Sequence, residues 1–435
     1  MRDFEESVAY FGTEKWKAGV VGLGYVGLPL AMAILDAGLR CIGFDDSIEV
    51  VEGLRSGRSH VDDISDAAVK EALAEGFEVT ASPDALGEVD AIFVCVPSPL
   101  GRNRQPDMSF IGQAAATLQT AVRPGQLVVL ESTSYPGTTE EFFLPAITSN
   151  GLELDRDVYL AFSPERVDPG NPRRLQDIPK VVGGVSPESG KVAAAAYSRF
   201  MSDVTLVSSA RVAEMAKLLE NTYRAVNIGL VNEMAQLAHR LGIDIWEVID
   251  AAATKPFGFR AFYPGPGVGG HCIPLDPQFL AWSARAAGFP TRFIDVAEQV
   301  NVAMPGYAAT RAAEVLNEHG LPLRGTRILG VGLAYKANIA DSRESPAVNV
   351  LRQLASGGAA IGVLDPVVGE QGIRAHGFVP TGASPEELAG FSLAVILTDH
   401  DVLDLEAIAD AIPLVFDTRD AYRRRGIVRS NVSTL

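Results

Sequence analysis

A chain of 435 residues has room for two or three domains with ample core, and its 47% hydrophobic and 21% charged residues are those of an ordinary globular protein. A net charge of −17 argues against broad binding to nucleic acid or to an anionic membrane, both of which need a basic face. An anionic small molecule remains compatible with that charge where Lys and Arg gather locally.

The N-terminal MRDFEESVAYFG is acidic and lacks the basic-then-apolar plan of a signal peptide, so the chain reads as cytoplasmic. The most apolar stretch, GVVGLGYVGLPLAMAIL, is long enough to suggest a short membrane span. Its glycines and the Asp36 that ends it favour a buried strand-turn-helix. A strand at AGVVG leads into Gly22-x-Gly24-x-x-Gly27, and a helix follows to Ala37 with Gly38 as its stop. CIGFD, AIFVCVP, LVVLEST and VYLAFSP come next as apolar runs of strand length, alternating with helical stretches. That alternation predicts a parallel, doubly wound sheet. Asp45 ends the second strand at the offset where a dinucleotide site places its ribose-binding acid. With strand, helix and acid in register, the glycine motif predicts a Rossmann-like NAD site, the bland alternative being a tight turn without nucleotide. Asp46 beside Asp45, with no Arg after them, should repel a 2′-phosphate, which favours NAD over NADP.

Cys41 and Cys95 lie in apolar runs and read as small buried hydrophobes, whereas Cys272 lies in a polar, glycine-rich segment. There is no C-x-x-C spacing, and an odd count fits free thiols in a reducing compartment. His271 beside Cys272 hints at a metal, but the six histidines are scattered, and no metal site is expected.

From Ser209 to about Leu241 runs one helical pattern of roughly 50 Å, closed by Gly242. Apolar residues on nearly every face predict a helix that links two halves and lies in a homodimer interface. Helical segments continue to about Leu316. Between them, residues 264–277 read PGPGVGGHCIPLDP, a loop whose glycines and prolines specify the backbone and hold Cys272 in place. Asp276, before Pro277, also suits the N-cap of a helix beginning there.

From about residue 321 the first theme returns. RILGVGLAYK repeats the first strand and turn with Gly330-x-Gly332 but no third glycine, AAIGVLDP repeats RCIGFDD, and LAVILTD repeats DAIFVCVP. A helix starts with Ser345 as N-cap and Pro346 at its first position. The degraded fingerprint suggests a different nucleotide, with Lys336, Arg343 and Arg419 placed to hold a second diphosphate; taken singly, each is also an ordinary surface charge. The expected fold is α/β: two Rossmann-like parallel-sheet domains, 1–208 and 321–435, joined by a long helix and a helical middle domain, 209–320.

Cys272 and Asp276 are four residues apart, and Lys217 and Asn221 are four apart on one helical face. Glu165 in FSPERVDPG and Thr133 in ESTSYPGTT follow strand ends. A thiol, a lysine, two carboxylates and an NAD site suit aldehyde oxidation: a thiolate adds to the carbonyl, and the adduct loses hydride to give a thioester. Read singly, Lys217 is a solvated helix lysine and Glu165 a loop acid.

GLGYVGLPLA, STSYPGTTEE, FSPERVDPGN, AEMAKLLENTYRAVNIGLVNEM, PGPGVGGHCIPLDP and KANIADSRESPA, in that order, resemble the nucleotide-sugar 6-dehydrogenase family of UDP-glucose and UDP-N-acetylhexosamine dehydrogenases. The resemblance covers nearly the whole chain after the first 17 residues. It implies a four-electron oxidation of the sugar C6 alcohol to a uronic acid with two NAD, in polysaccharide or secondary-metabolite sugar synthesis. By position Cys272 is similar to the thioester-forming nucleophile. Lys217, Asn221 and Asp276 would serve alcohol deprotonation, oxyanion stabilisation and a bound water. Glu165 would assist hydrolysis, and Thr133 would orient the water or cofactor. The cofactor would lie against Gly22, Gly24, Tyr25, Val26, Gly27, Asp45, Pro97, Thr133 and Arg343. The sugar nucleotide would meet Glu165, Lys217, Asn221, Arg260, Tyr263, Gly269, Lys336 and Arg419, with Arg260 acting across a dimer.

Glucose-type members carry a second acid four residues after the motif Glu, where this chain has Pro169, with Asp168 one earlier. The Cys loop and SPERVDPG resemble the N-acetylhexosamine branch more. The base, uracil or thymine, stays open. Two other readings are a single-step β-hydroxyacid-type dehydrogenase and a non-catalytic NAD- and nucleotide-binding sensor.

Overall fold

A computed structural model of the chain describes residues 2–61, 63–101, 104–167, 173–270 and 272–435. The sequence features at Asp168, Pro169 and His271 lie outside the described residues. The chain forms two compact units, Met1–Glu220 with Gln278–Phe289, and Asn221–Pro277 with Pro290–Leu435.

In the first unit the uninterrupted apolar runs have the pattern of strands buried on both faces. They form β1 Lys17–Val21, β2 Arg40–Phe44, β4 Ala91–Val94, β5 Gln126–Leu130 and β6 Val158–Phe162. Three strands escaped the sequence reading: β3 Glu78–Thr80, β7 Lys180–Gly184 and β8 Val204–Val207. The order is β3-β2-β1-β4-β5-β6-β7-β8. All neighbours are parallel except β6 and β7, which pair antiparallel at Ala161↔Gly184 and Phe162↔Gly183. Because side chains alternate, one strand feeds two cores: Ala18 and Val20 of β1 pack with Cys41, Phe93 and Cys95, while Val21 packs with Ile42, Val94 and Leu130. Burial pushes the Cys41 and Cys95 thiols far above the ordinary thiol range. The order reverses between β1 and β4, the point where sheets of this kind open a ligand crevice at the strands' carboxyl ends.

The second unit repeats the plan. β9 Arg327–Val331, β10 Ala360–Leu364, β11 Val379–Pro380, β12 Leu393–Ile396, β13 Leu414–Asp417 and β14 Val432–Thr434 form an all-parallel sheet in the order β11-β10-β9-β12-β13-β14. The helix Pro346–Ser356 starts as the sequence suggests, with the Ser345 side chain accepting from Ala347 N at 3.2 Å and Pro346 in the first turn. No described helix is long and apolar enough to cross a membrane.

The long helix runs Ala210–Leu241 and stops at Gly242, whose φ is +68°. Within one chain it is not covered on every face. Met215, Leu219, Tyr223, Leu230, Leu237 and Leu241 form an exposed stripe along it, while Ala213, Ala225, Ala235 and Ala238 face inward.

Glu214 on this helix is fully buried and accepts hydrogen bonds from Gly137 N (2.6 Å), Thr139 N (2.9 Å) and Thr139 Oγ1 (2.7 Å). Burial outweighs these donors and pushes its carboxyl up to about 7. A carboxyl raised on folding favours the protonated native state, so stability falls as pH climbs from the unfolded value through the folded one. The expected loss between pH 4.5 and 7 is on the order of 3 kcal/mol. Thermal melts across that window should decline in the wild type and flatten in Glu214→Gln; parallel declines would show that Glu214 does not titrate there.

Candidate active site

In the first unit, Gly22 turns the chain with φ +87°, where a Cβ would sit 2.7 Å from Cys95 O. A Cβ on Gly27 would lie 1.8 Å from Gly22 O, so this glycine lets the helix Gly27–Asp36 dock on the turn. Gly24 differs: a Cβ there would meet nothing within 4 Å. Its bareness serves no internal packing and leaves clear space over the helix N-terminus, where a pyrophosphate would meet backbone N–H groups. Asp45 is fixed by Leu23 N on Oδ2 and Ser47 N on Oδ1, both at 2.9 Å, beside an exposed Asp46. Val26 takes the helix N-cap position, Tyr25 and Pro97 are exposed, and Thr133 is half-buried in the loop after β5. This cradle fits a dinucleotide.

The second unit copies the turn but not the cradle. Gly330 lies inside β9, so Gly330-x-Gly332 is not the counterpart of the first two fingerprint glycines. Gly332 matches Gly22: its N–H donates to Leu364 O as that of Gly22 donates to Phe44 O. Asp365 matches Asp45, accepting from Leu333 N (2.6 Å) and Ala334 N (3.1 Å). The acids then diverge. Asp365 is buried, also accepts from Val367 N and Val368 N, and lies 3.1 Å from His400 Nε2. Asn338 N donates to His400 Nδ1, so the ring's proton is on Nε2 and points at Asp365. Burial alone would raise the Asp365 carboxyl; His400 and the backbone donors hold it down at about 2. With this carboxylate committed, and the next helix delayed to Pro346, no acid-plus-helix dinucleotide cradle forms here. The intervening loop carries Lys336, half-buried, and Arg343, which pairs with Asp341 at 2.8 Å.

Arg419 follows β13, its Nε donating to Leu397 O at 2.7 Å. It reaches the surface only in part. Burial lowers its pKa to about 10, against the opposing pull of Asp417 and Asp399, so it stays cationic. Among the described residues no carboxylate lies within ion-pair distance of its guanidinium. A partly desolvated cation of this kind suits an anionic ligand.

The Cys272 segment departs from expectation in two ways. Cys272 is not inside a loop: it opens the helix Cys272–Ala286. Asp276 is not an N-cap but lies within that helix, one turn beyond Cys272, and Pro277 is a proline inside the helix, where it removes one i→i−4 hydrogen bond. Cys272 is exposed. The preceding glycines have a packing reason besides ligand approach. A Cβ on Gly265 would lie 2.6 Å from the Arg419 guanidinium; on Gly269, 2.7 Å from Pro346; on Gly270, 2.7 Å from the Tyr335 ring. The loop backbone thus lies directly against the carboxyl end of the strands of the second sheet.

Within the second unit Asn221 Nδ2 donates to buried Asp276 Oδ2 at 2.5 Å. Within the first, buried Lys217 donates its Nζ to the Glu165 carbonyl at 2.6 Å. Arg260 is exposed near Phe262. Tyr263 stacks on Trp246 and donates to Asp250 at 3.2 Å.

Sequence reasoning missed Lys180, Glu131 and His400. Lys180 Nζ binds Glu131 Oε2 at 2.6 Å and Glu165 Oε2 at 3.2 Å, with both lysine and Glu131 buried. No periodic pattern marks such a triad. Asp365 was visible as the repeat of GFDD in VLDP, but its histidine partner was not. Among the described residues no cluster of three or more His, Cys, Asp or Glu is placed to hold a metal.

Three models of one family match the chain: the NAD binding domain of the UDP-glucose/GDP-mannose dehydrogenases over residues 16–201, their central domain over 211–303 and their UDP binding domain over 329–424. UDP-N-acetyl-D-glucosamine 6-dehydrogenase of Pseudomonas aeruginosa is 34% identical over 397 residues, 90% of this chain and 93% of that protein. The structure of UDP-D-ManNAc dehydrogenase from Pyrococcus horikoshii superposes with a TM-score of 0.84 at 31% identity, covering 96% of this chain and 98% of that one. A UDP-glucose dehydrogenase from Pyrobaculum islandicum gives 0.83 at 27% identity, covering 96% and 97%.

Proposed function

The chain belongs to the UDP-glucose/GDP-mannose dehydrogenase family and is an NAD-dependent nucleotide-sugar dehydrogenase, and we propose that it oxidises the C6 alcohol of a UDP-linked N-acetylhexosamine to the uronic acid through a thioester on Cys272. The carrying observation is Cys272 at a helix start, with Asp276 one turn on and bonded to Asn221. The N-acetylhexosamine rests on the Cys loop and SPERVDPG motifs and on the names of the relatives; a fold equally close to a glucose enzyme does not select the sugar.

NAD, bound at the glycine turn, supplies the hydride acceptor, two molecules per sugar. The protein does the rest. Lys217, steadied on a carbonyl, takes part in deprotonating the C6 alcohol. The Cys272 sulfur bonds to the carbonyl carbon of the aldehyde, and Asn221 stabilises the resulting oxyanion. Asp276 holds a water, with Thr133 assisting its orientation. Once the second hydride has left, Glu165 draws a proton from water as it attacks the thioester, releasing carboxylate and returning the thiol. Lys336 and Arg419 hold the substrate diphosphate, Tyr263 and Gly269 flank it, and Arg343 contacts the cofactor. Counting NADH per sugar over a panel of UDP- and dTDP-hexoses tests the reading: two supports it, one indicates a single-step dehydrogenase, none a sensor.

The three-part division into 1–208, 209–320 and 321–435 is supported by the spans of the family models. The exposed apolar stripe of the long helix supports a homodimer in which Arg260 reaches the partner's site. Light scattering at micromolar concentration should give at least twice the monomer mass; a monomer would refute this. The three free cysteines support a reducing, cytoplasmic setting.

Asp45 and Asp46 should make NAD preferred over NADP in kcat/KM by roughly tenfold or more, the factor that 1.4 kcal/mol of repulsion supplies. Comparable values for both cofactors would mean that the carboxylates do not face the ribose.

A further inference from the structure

Glu165 is fixed by more than its own loop. Its Oε1 accepts from Arg166 N and Val167 N, both at 2.6 Å. Its Oε2 meets Lys180 Nζ at 3.2 Å and, among the described residues, no other donor. Lys180 opens β7, the strand added antiparallel to β6, and is 2% exposed. It is shared with Glu131, which follows β5 and takes a second bond from Tyr197 OH at 2.5 Å. Two carboxylates thus hold one lysine. The desolvation that opposes the Lys180 charge is outweighed by the two acids, and Lys180 in turn opposes the burial that raises Glu131. A buried ion pair is a weak stabilising device, and this one lies one bond from the acid assigned to hydrolysis.

We propose that Lys180 is a positioning residue for thioester hydrolysis: it aims the Glu165 carboxylate and leaves one Oε2 lone pair for the attacking water. The inference rests on the assignment of Glu165 as the hydrolytic base. Besides Lys180 and Glu131, the groups near Glu165 are Lys217 on its carbonyl, Arg166, which pairs with Glu220 at 2.6 Å, Tyr197, and the buried Cys95.

The test compares the pre-steady-state NADH burst, the steady-state rate and the mass of the intact protein, using whichever UDP-hexose the wild type turns over. Lys180→Met combined with Glu131→Gln removes both buried charges together. The burst should stay within roughly threefold of wild type, steady-state turnover should fall tenfold or more, and a sugar adduct should accumulate on Cys272. A general loosening of the fold would slow both phases alike, so burst and steady state falling in parallel overturn the inference. If the double variant fails to fold, Lys180→Gln decides it: a slowed steady state with an intact burst and an adduct supports the inference, and unchanged turnover overturns it. Glu165→Gln is the control: if it builds up the adduct while the double variant does not, Lys180 has no such role; if Glu165→Gln hydrolyses normally, the assignment of Glu165 falls, and this inference with it.

Discussion

Cys272→Ala protein is expected to make no uronic acid from any nucleotide sugar while binding NAD as tightly as the wild type. In the proposed mechanism the sulfur turns a two-electron oxidation into a four-electron one, because its addition to the aldehyde gives a tetrahedral adduct that loses the second hydride to leave a thioester. The side chain is exposed, so its removal should change stability by no more than about 0.5 kcal/mol. The cofactor cradle of Gly22, Gly24 and Gly27 belongs to the other unit and should be unaffected. Product analysis and NAD titration read the two halves of this expectation separately. The expected adduct in Glu165→Gln, seen by intact-protein mass spectrometry, must vanish when Cys272→Ala is added. Uronic acid at the wild-type rate from Cys272→Ala would return this cysteine to the role of Cys41 and Cys95, which only fill space.

Arg419→Ala is expected to raise the KM for the nucleotide sugar tenfold or more and to leave NAD affinity unchanged. Each charge-assisted contact to a phosphate is worth about 1.5–3 kcal/mol, which corresponds to roughly ten- to more than hundredfold in binding. The guanidinium is anchored on Leu397 O and occupies space that a Cβ on Gly265 would invade, so it is already positioned before an anion arrives. Its charge persists because a pKa of about 10 still lies well above neutrality. An Arg419→Lys variant should recover only part of the loss, since a lysine lacks the planar fork. An unchanged sugar KM with weakened NAD would mean that the two nucleotide sites have been exchanged.

The contrast between the two sheets rests on the same local sequence read twice. VGLGYVG and VGLAYK both announce a strand and turn, and GFDD and VLDP both end the next strand in an acid. After Gly332, Ala334 and Ala337 stand where the first turn has Gly24 and Gly27, which is why the second turn reads as a degraded copy. What makes the second site differ is His400, which follows β12 and reaches Asp365 after β10. The intervening strand β9 has to lie between them for that contact to exist.

The sequence by itself determined the strands with uninterrupted apolar runs, the turn at Gly22, the acids that end the second strand of each sheet, the start of the helix at Ser345 and the order of the family's motifs. These are legible because a buried strand, a tight turn and a cap each impose their requirement on a few adjacent residues. It did not reveal the antiparallel β7, the helical setting of Cys272 and Asp276, the exposed stripe on the long helix, or the triad of Glu131, Glu165 and Lys180. Composition alone counts the apolar faces of a helix without knowing which face the rest of the chain covers. Glu131, Glu165 and Lys180 are separated by 34 and 15 residues, two of them lying after β5 and β6 and the third opening β7. Their meeting is decided by which strands lie side by side and in which direction. A lysine held between two acids leaves no repeat, spacing or periodicity in the chain, and only the tertiary structure brings its charges within a hydrogen bond.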